Sequence, residues 1–227
     1  MNILALDTVD KVLSVALRAG TGIWHIEIDD GSRHSELLMD CIDSLFKIAG
    51  IKSEDLDSVV CMKGPGSFTG LRIGFSTAKG LSTALGIPVF SIPTLDCLAH
   101  HLSFWPGLVL PAIDAKKNCF FSALYYKGKL ITVYLDVSPE TLAKEISKAA
   151  FSLENKSIIL TGGGAELLKP RLSEFISPDF LPVDPQSRKG RARELIEIAI
   201  SDNLIKEDCI DSGPVYLRKS DAELNWR

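Results

Sequence analysis

Hydrophobic and polar positions follow two different periods along this chain, and these periods predict the order of its elements. The first apolar run ends at Asp7 and is typical of a buried strand. Residues 22–28 alternate with a period of two, which predicts a half-buried strand. Residues 35–50 place apolar side chains at helical spacing and end in Gly50, so we expect a helix with a glycine cap. The first apolar run, the run VLSVALRAG and residues 22–28 together predict a three-stranded meander, and residues 35–50 predict the helix that follows it.

The second half of the chain predicts the same order of elements. An apolar run ends at Asp114, a meander turns at Lys127 and Gly128, and Ser138 caps the next helix. Each half continues as strand, helix, strand and helix; in the second half the last two are DFLPVD and ARELIEIAISDNLI. This order resembles a ribonuclease-H-like unit. We therefore predict an α/β fold of two tandem ribonuclease-H-like lobes, the architecture of actin and hexokinase (ASKHA type).

The repeat also sets the predicted domains. Residues 1–103 form an N-terminal lobe, which the C-terminal helix 190–227 joins, and residues 104–189 form a C-terminal lobe. The chain has 227 residues, enough to bury two such cores.

Composition narrows the classes of protein. No apolar run approaches the roughly 20 residues that cross a bilayer, and the start MNILALDT lacks a basic segment, so we expect neither a membrane span nor a signal peptide. Five scattered cysteines predict free thiols in a reducing cytosol. The net charge of −4 argues against a chain that binds nucleic acid by itself, since such binding depends mainly on Lys and Arg.

One local basic cluster departs from this balance. The segment RKGRAR contains four cations just before a predicted helix: Arg188, Lys189, Arg191 and Arg193. Cations at a helix start oppose its dipole, so either a solvated loop or a contact to phosphate explains them. Both interpretations stay open at this point.

The glycine-rich segment GPGSFTGLRIGFSTAKGLSTALG does not match a phosphate loop. It contains no Gly-Lys-Ser or Gly-Lys-Thr, and its spacing fits neither the dinucleotide fingerprint nor the nucleophile elbow. On a helix over 69–85, Gly70, Gly74 and Ala78 instead recur every four residues along one face. Such a face allows another backbone to come close. The neighbour is either the chain's own sheet or a second subunit.

Two aspartates and a glycine turn are candidates for nucleotide contact. Asp7 and Asp114 end the first strands of the two lobes, where two-lobed nucleotide-binding folds hold magnesium and phosphate. Gly162 and Gly163 lie in a turn that resembles the adenosine-contacting turn of those folds. A turn role explains all four residues equally well. If they do contact a nucleotide, the function is that of an ATP-dependent phosphotransferase, which we keep as the alternative to the function inferred below. A metallopeptidase is less favoured than either.

Several motifs together resemble the TsaB (YeaZ) family: LALDT, HSELL, GPGSFTGLRIG, AKGL, the Asp114-Ala-Lys-Lys segment and PVYLRKSDAELNW. The resemblance runs from residue 3 to 226. It implies a subunit of the machinery that makes threonylcarbamoyladenosine beside the tRNA anticodon. The catalytic TsaD relatives carry paired histidines in the first helix, whereas Leu38 stands four residues after His34 here. The resemblance therefore implies a non-catalytic, cytoplasmic protein without a metal site.

The same resemblance implies partners and an interface. A TsaD-like catalytic subunit would bind the first two helices as a four-helix bundle, a TsaE-like ATPase would join that assembly, and the isolated chain would form a homodimer. The chain would contact tRNA only as part of the complex. ATP and magnesium would also bind only within the assembled complex, so no cofactor is expected for the chain alone. The interface residues implied are Leu38, Cys41, Ile42, Leu45, Gly70, Leu71, Gly74, Phe75 and Ala78.

Overall fold

A computed structural model describes residues 1–31, 33–151, 153, 155–201 and 213–218. The described strands are β1 (Ile3–Asp7), β2 (Leu13–Ala19), β3 (Gly22–Ile28), β4 (Ser58–Gly64), β5 (Val89–Pro93), β6 (Leu108–Asp114), β7 (Phe120–Ser122), β8 (Tyr125–Tyr126), β9 (Lys129–Leu130), β10 (Leu135–Val137) and β11 (Ile158–Thr161). The described α-helices are α1 (His34–Ala49), α2 (Phe68–Leu85), α3 (Thr94–His100), α4 (Pro139–Ala150), α5 (Ala165–Leu172) and α6 (Ala192–Ser201). Short 3₁₀ helices lie at Ser53–Asp55 and Pro178–Phe180.

Internal contacts divide the chain into two compact units. The N-terminal unit comprises Met1–Cys97 and the described part of Gly190–Val215. The C-terminal unit comprises Leu98–Lys189 and the described part of Tyr216–Arg227. Compactness alone does not establish units that fold independently, so the domains expected over 1–103, 104–189 and 190–227 stay a prediction. Much of 190–227 lies outside the described residues.

The N-terminal unit is built on a five-stranded sheet in the order β3-β2-β1-β4-β5. The first three strands are antiparallel, and β4 and β5 run parallel to β1. Alternate residues of β1 serve opposite faces: Leu4 and Leu6 pack beneath α1 and α2, while Ile3 and Ala5 pack beneath α6. A strand covered on both faces is apolar throughout, as the run before Asp7 predicts.

The C-terminal unit repeats this order in a broken form. β6 is flanked on one side by the antiparallel strands β7 and β8, which pair in turn with β10 and β9, and on the other side by the parallel strand β11. The predicted second and third strands are therefore each divided in two. The segment DFLPVD contributes a single bridge between Val183 and Leu160 instead of the predicted strand.

The shared order confirms the predicted α/β fold with two ribonuclease-H-like units. The predicted glycine cap is also observed, since Gly50 ends α1 in the left-handed conformation, and Gly86 ends α2 in the same way. The Ser67 hydroxyl caps α2 by accepting from the Gly70 N–H. The turn at Lys127 and Gly128 has positive φ at both residues, as a two-residue hairpin requires.

Candidate functional site

The small-residue face of α2 packs inside its own unit. A Cβ on Gly70 would overlap the carbonyl oxygen of Thr8, and one on Gly74 would lie 2.7 Å from the Thr8 hydroxyl. The nine predicted interface residues are all buried: Leu38, Cys41, Ile42, Leu45, Gly70, Leu71, Gly74, Phe75 and Ala78. Except for Phe75, which also lines the groove described below, these residues offer no surface to another subunit, so their assignment as contacts is corrected. An interface on these helices has to use their exposed faces.

The exposed face of α1 is acidic and partly apolar. We call it the α1 face, and its members are three carboxylates, one lysine and two apolar side chains: Glu36, Met39, Asp40, Asp43, Lys47 and Ile48. Met39 is 48% exposed and Ile48 is 65% exposed, which is high for large apolar side chains.

The neighbouring face of α2 borders an open groove of about 730 Å³, which we call the α2 groove. Its lining combines two cations with apolar side chains: Phe68, Thr69, Arg72, Ile73, Phe75, Ser76, Lys79 and Pro214. The Arg72 guanidinium lies 3.9 Å from the centre of the Phe68 ring. Because the lining contains Arg72 and Lys79 and no carboxylate, the groove is basic, whereas the α1 face is acidic.

Asp7 is enclosed by protein donors. Its carboxylate accepts the Val9 N–H at 3.2 Å and the Arg191 N–H at 2.8 Å. Burial raises its pKa to about 6, although these two hydrogen bonds act to lower it.

The carboxylate of Asp7 belongs to a set of caps on the segment that enters α6. The Gly190 N–H donates to Glu27 at 3.0 Å, and the Ala192 N–H donates to the Ser14 hydroxyl at 3.2 Å. Successive N–H groups thus end on side chains of β3, β1 and β2. Backbone donors occupy one lone-pair site on each oxygen of this carboxylate, and Asp7 is only 5% exposed, so little of it is accessible to a hydrated magnesium ion.

Asp114 is more accessible but is also engaged within its loop. Its carboxylate accepts the Lys116 N–H at 2.8 Å and the Lys116 ammonium at 2.8 Å. Partial burial raises the pKa of Asp114, but the bonds from Lys116 outweigh it and the net pKa lies below the ordinary value. Asp114 belongs to the C-terminal unit, whereas Asp7 belongs to the N-terminal unit.

The glycine turn after β11 fits a close approach to β6. Gly162 has φ +86°, and a Cβ there would lie 2.7 Å from the Ala112 carbonyl oxygen. The Gly164 N–H donates to the same oxygen at 2.9 Å, while Gly163 is exposed. Internal packing therefore explains Gly162, and the predicted nucleotide contacts of Asp7, Asp114, Gly162 and Gly163 stay a prediction.

The predicted basic cluster does not act as one surface. Arg188, Lys189 and Arg193 are exposed, but Arg191 is 1% exposed and its guanidinium donates to Glu194 at 2.9 Å. Arg193 lies 3.3 Å from Glu197. Because the Arg191 side chain is inside the N-terminal unit, its prediction as a tRNA contact is corrected.

Sequence reasoning missed two polar arrangements. In the C-terminal unit, Asp184 accepts from Thr161 at 2.8 Å and is 2.9 Å from His101. Arg218 donates to both carboxylate oxygens of Asp136, with its Nε 2.7 Å from Oδ2. Each pair is more than twenty residues apart without a local motif, so the sequence carries no signal for either.

The described residues contain neither a metal-binding cluster nor a membrane-spanning helix. Across the part of the chain that the structure describes, no three His, Cys, Asp or Glu side chains are grouped to hold a metal. His34 hydrogen-bonds the Asp10 carbonyl oxygen at 2.9 Å. Among the described helices, none combines the length and apolar character needed to cross a bilayer.

Comparisons with known proteins agree with the fold. A family model described as "TsaD: tRNA N6-adenosine threonylcarbamoyltransferase" matches residues 30–140. A crystal structure of a protein "with similarity to peptidase YEAZ" from Pseudomonas aeruginosa superposes with a TM-score of 0.77 at 25% identity, covering 96% of this chain and 99% of that one.

Two curated relatives extend over most of the chain, and both are named tRNA threonylcarbamoyladenosine biosynthesis protein TsaB. The Bacillus subtilis protein is 29% identical and covers 100% of this chain and 98% of the relative. The protein of Buchnera aphidicola subsp. Schizaphis graminum is 31% identical and covers 88% of this chain and 94% of the relative. The chain therefore belongs to the TsaB family.

Proposed function

We propose that this chain is a non-catalytic subunit of the machinery that makes threonylcarbamoyladenosine next to the tRNA anticodon. Membership of the TsaB family over nearly the whole chain is the observation that carries the proposal. Its catalytic partner is a TsaD-like subunit, and its place of action is the cytoplasm. The non-catalytic role is supported by α1, where His34 bonds to the backbone and Leu38 is buried in the core.

In this proposal the partner binds to the exposed faces of α1 and α2. The α1 face combines carboxylates with Met39 and Ile48, and the α2 groove combines Arg72 and Lys79 with apolar walls. Exposed apolar side chains that lie together with a rim of charged residues are typical of protein interaction sites. A helix pair from the partner would complete a four-helix bundle here.

The same two faces support a homodimer when the catalytic subunit is missing. In a two-fold dimer each copy presents the same patch, so a self-complementary patch is required. The acidic α1 face and the basic α2 groove meet that requirement, since each can oppose the other in the second copy.

ATP and magnesium belong, in this proposal, to the assembled complex, as do a TsaE-like ATPase and the tRNA. The enclosed Asp7 carboxylate speaks against the alternative phosphotransferase, which needs it for magnesium. Titration of the isolated chain with magnesium and ATP separates the two functions. Binding at micromolar to millimolar concentration together with transfer of the γ-phosphate to an acceptor would favour the phosphotransferase.

Association is tested by co-purification with a TsaD-like protein. Met39→Asp replaces an exposed apolar contact with a charge, and Arg72→Glu reverses a charge of the α2 groove, so we expect at least a tenfold loss of affinity. Neither change touches a buried residue, so the melting temperature should be unchanged. Lys148→Glu on α4 is the matched control, because Lys148 is an exposed lysine of another helix. Normal association of the double variant would place the interface elsewhere.

The role in modification is tested in cells that lack their own TsaB. Expression of this chain should restore threonylcarbamoyladenosine in total tRNA, measured by mass spectrometry of nucleosides, and the double variant should restore less. Association without restoration would contradict the function while leaving the interface intact.

A further inference from the structure

The turn that follows β6 has an unusual backbone. Lys116, Lys117 and Asn118 have φ angles of +60°, +52° and +57°, so three successive non-glycine residues are left-handed. Residues with a Cβ visit this region rarely and mostly singly, because the Cβ crowds the following carbonyl group. Their conformation must therefore be held by the rest of the unit.

Contacts from several sides hold this turn. The Ala115 N–H donates to the Cys119 carbonyl oxygen at 3.1 Å, and Arg171 donates to the Asn118 side-chain oxygen at 2.6 Å. Arg218, itself fixed by Asp136, donates to the Ala115 carbonyl oxygen at 2.7 Å. The consequence is a firmly supported turn whose outward residues are two lysines.

The positive charges around the turn favour the binding of an anion. Lys116 is 80% exposed, Lys117 is exposed, and Arg171 lies at the base of the turn. Asp114 accepts from Lys116, but an ion pair this exposed contributes little, so the ammonium can exchange the carboxylate for a phosphate. The lysine stays near the turn in either state.

The distribution of charge between the two units also favours anion binding by the C-terminal unit. Met1–Cys97 with Gly190–Val215 contains 11 Lys and Arg against 18 Asp and Glu, a net charge of −7. Leu98–Lys189 contains 11 against 9, a net charge of +2. The overall charge of −4 therefore conceals a C-terminal unit that a polyanion can approach.

We propose that the turn Lys116–Asn118, with Arg171, binds the phosphodiester backbone of RNA. In the assembled complex that RNA is the tRNA, so this inference rests on the proposed function. Separate cations on an exposed turn suit a strand that crosses the surface. A mononucleotide is usually held in a concave site that encloses most of it.

The test uses glycine at the two lysines, in the assembled complex and in the isolated full chain. Lys116→Gly with Lys117→Gly removes both charges but suits the left-handed backbone, so the melting temperature should not fall. The Kd for an unmodified tRNA transcript should rise about fivefold per lysine at about 0.15 M salt, or roughly 25-fold for the pair. The slope of log K against log salt should decrease by about 0.7–0.9 per lysine.

Lys144→Ala with Lys148→Ala is the control, since it removes two exposed lysines from α4 of the same unit. An unchanged Kd and salt slope for the glycine variant, with normal assembly and modification by the wild type, would overturn this inference alone. Failure of the wild type to assemble or to support modification would instead contradict the proposed function. Equal competition by magnesium-ATP and by RNA at the turn would overturn the assignment to an RNA backbone.

Discussion

The Thr8 hydroxyl donates a hydrogen bond of 2.7 Å to the carbonyl oxygen of Gly70, although 62 residues separate them. Thr8 directly follows β1, and Gly70 lies in the first turn of α2. The glycine face of α2 therefore lies against the end of β1. Each glycine costs about 1 kcal/mol of helix propensity relative to alanine, and this close packing offsets that cost.

Alanine substitutions along α2 should separate glycines that pack from one that does not. Gly70→Ala overlaps the Thr8 backbone and Gly74→Ala places a methyl group 2.7 Å from the Thr8 hydroxyl, so we expect losses in unfolding free energy of about 1–3 kcal/mol or more. Gly80 has open space where a methyl group would lie, so Gly80→Ala should add about 1 kcal/mol. Urea unfolding measures all three, and a stable Gly70→Ala variant would contradict the packing described.

The stability of the protein should depend on pH through Asp7. Its folded pKa of about 6 lies above the unfolded value near 3.9, so its contribution to stability is fully present below about pH 4 and declines as pH rises to about 6. A difference of about two pKa units corresponds to about 3 kcal/mol. Asp7→Asn does not ionise, so the wild-type minus variant difference in unfolding free energy should fall over this window.

Asp184 gives a control of opposite sign. Burial raises its pKa, but the Gln186 N–H, Thr161 and His101 outweigh it, so the net pKa is below the ordinary value. Its stabilising contribution is present above about pH 4 and is lost as pH falls through the folded pKa.

A flat wild-type minus Asp7→Asn difference from about pH 4 to about pH 7 would argue against the buried, ionisable Asp7.

Two arginines of the basic segment should behave differently. Arg191→Ala leaves Glu194 without its guanidinium partner inside the unit, so a loss of about 3–5 kcal/mol is expected. Arg193→Ala changes an exposed pair and should stay within about 0.5 kcal/mol. Chemical denaturation followed by circular dichroism measures both, and similar values for the two variants would contradict this distinction.

The fork of Arg218 should matter beyond its charge. Arg218→Lys keeps the charge but cannot donate to both Asp136 oxygens and to Ala115 at once, so we expect a loss of about 1–2 kcal/mol. Hydrogen exchange of the Ala115 and Cys119 amides should also become faster. Lys129→Arg, on an exposed strand, serves as a control that should change neither quantity.

The sequence by itself determined most of the order of the elements and the repeat of the fold, except that the predicted strand DFLPVD forms only the bridge between Val183 and Leu160. Periods of two and 3.6 depend on neighbours a few residues apart, which is why the helix predicted over 69–85 agrees with α2. The division of the second meander into β7, β8, β9 and β10 was missed, because those strands keep a continuous strand-like pattern in sequence.

Only the tertiary structure decided which faces and charges are available. Gly70 and Gly74 share a helical face in the sequence, but their burial depends on Thr8, which a sheet of distant strands brings beneath α2. Arg191 lies in a segment whose composition is typical of a solvent-exposed cluster, yet its backbone N–H donates to Asp7, which is 184 residues away in the sequence. Hydrogen bonds and burial between distant residues leave no period along a chain, so pattern alone does not reveal them.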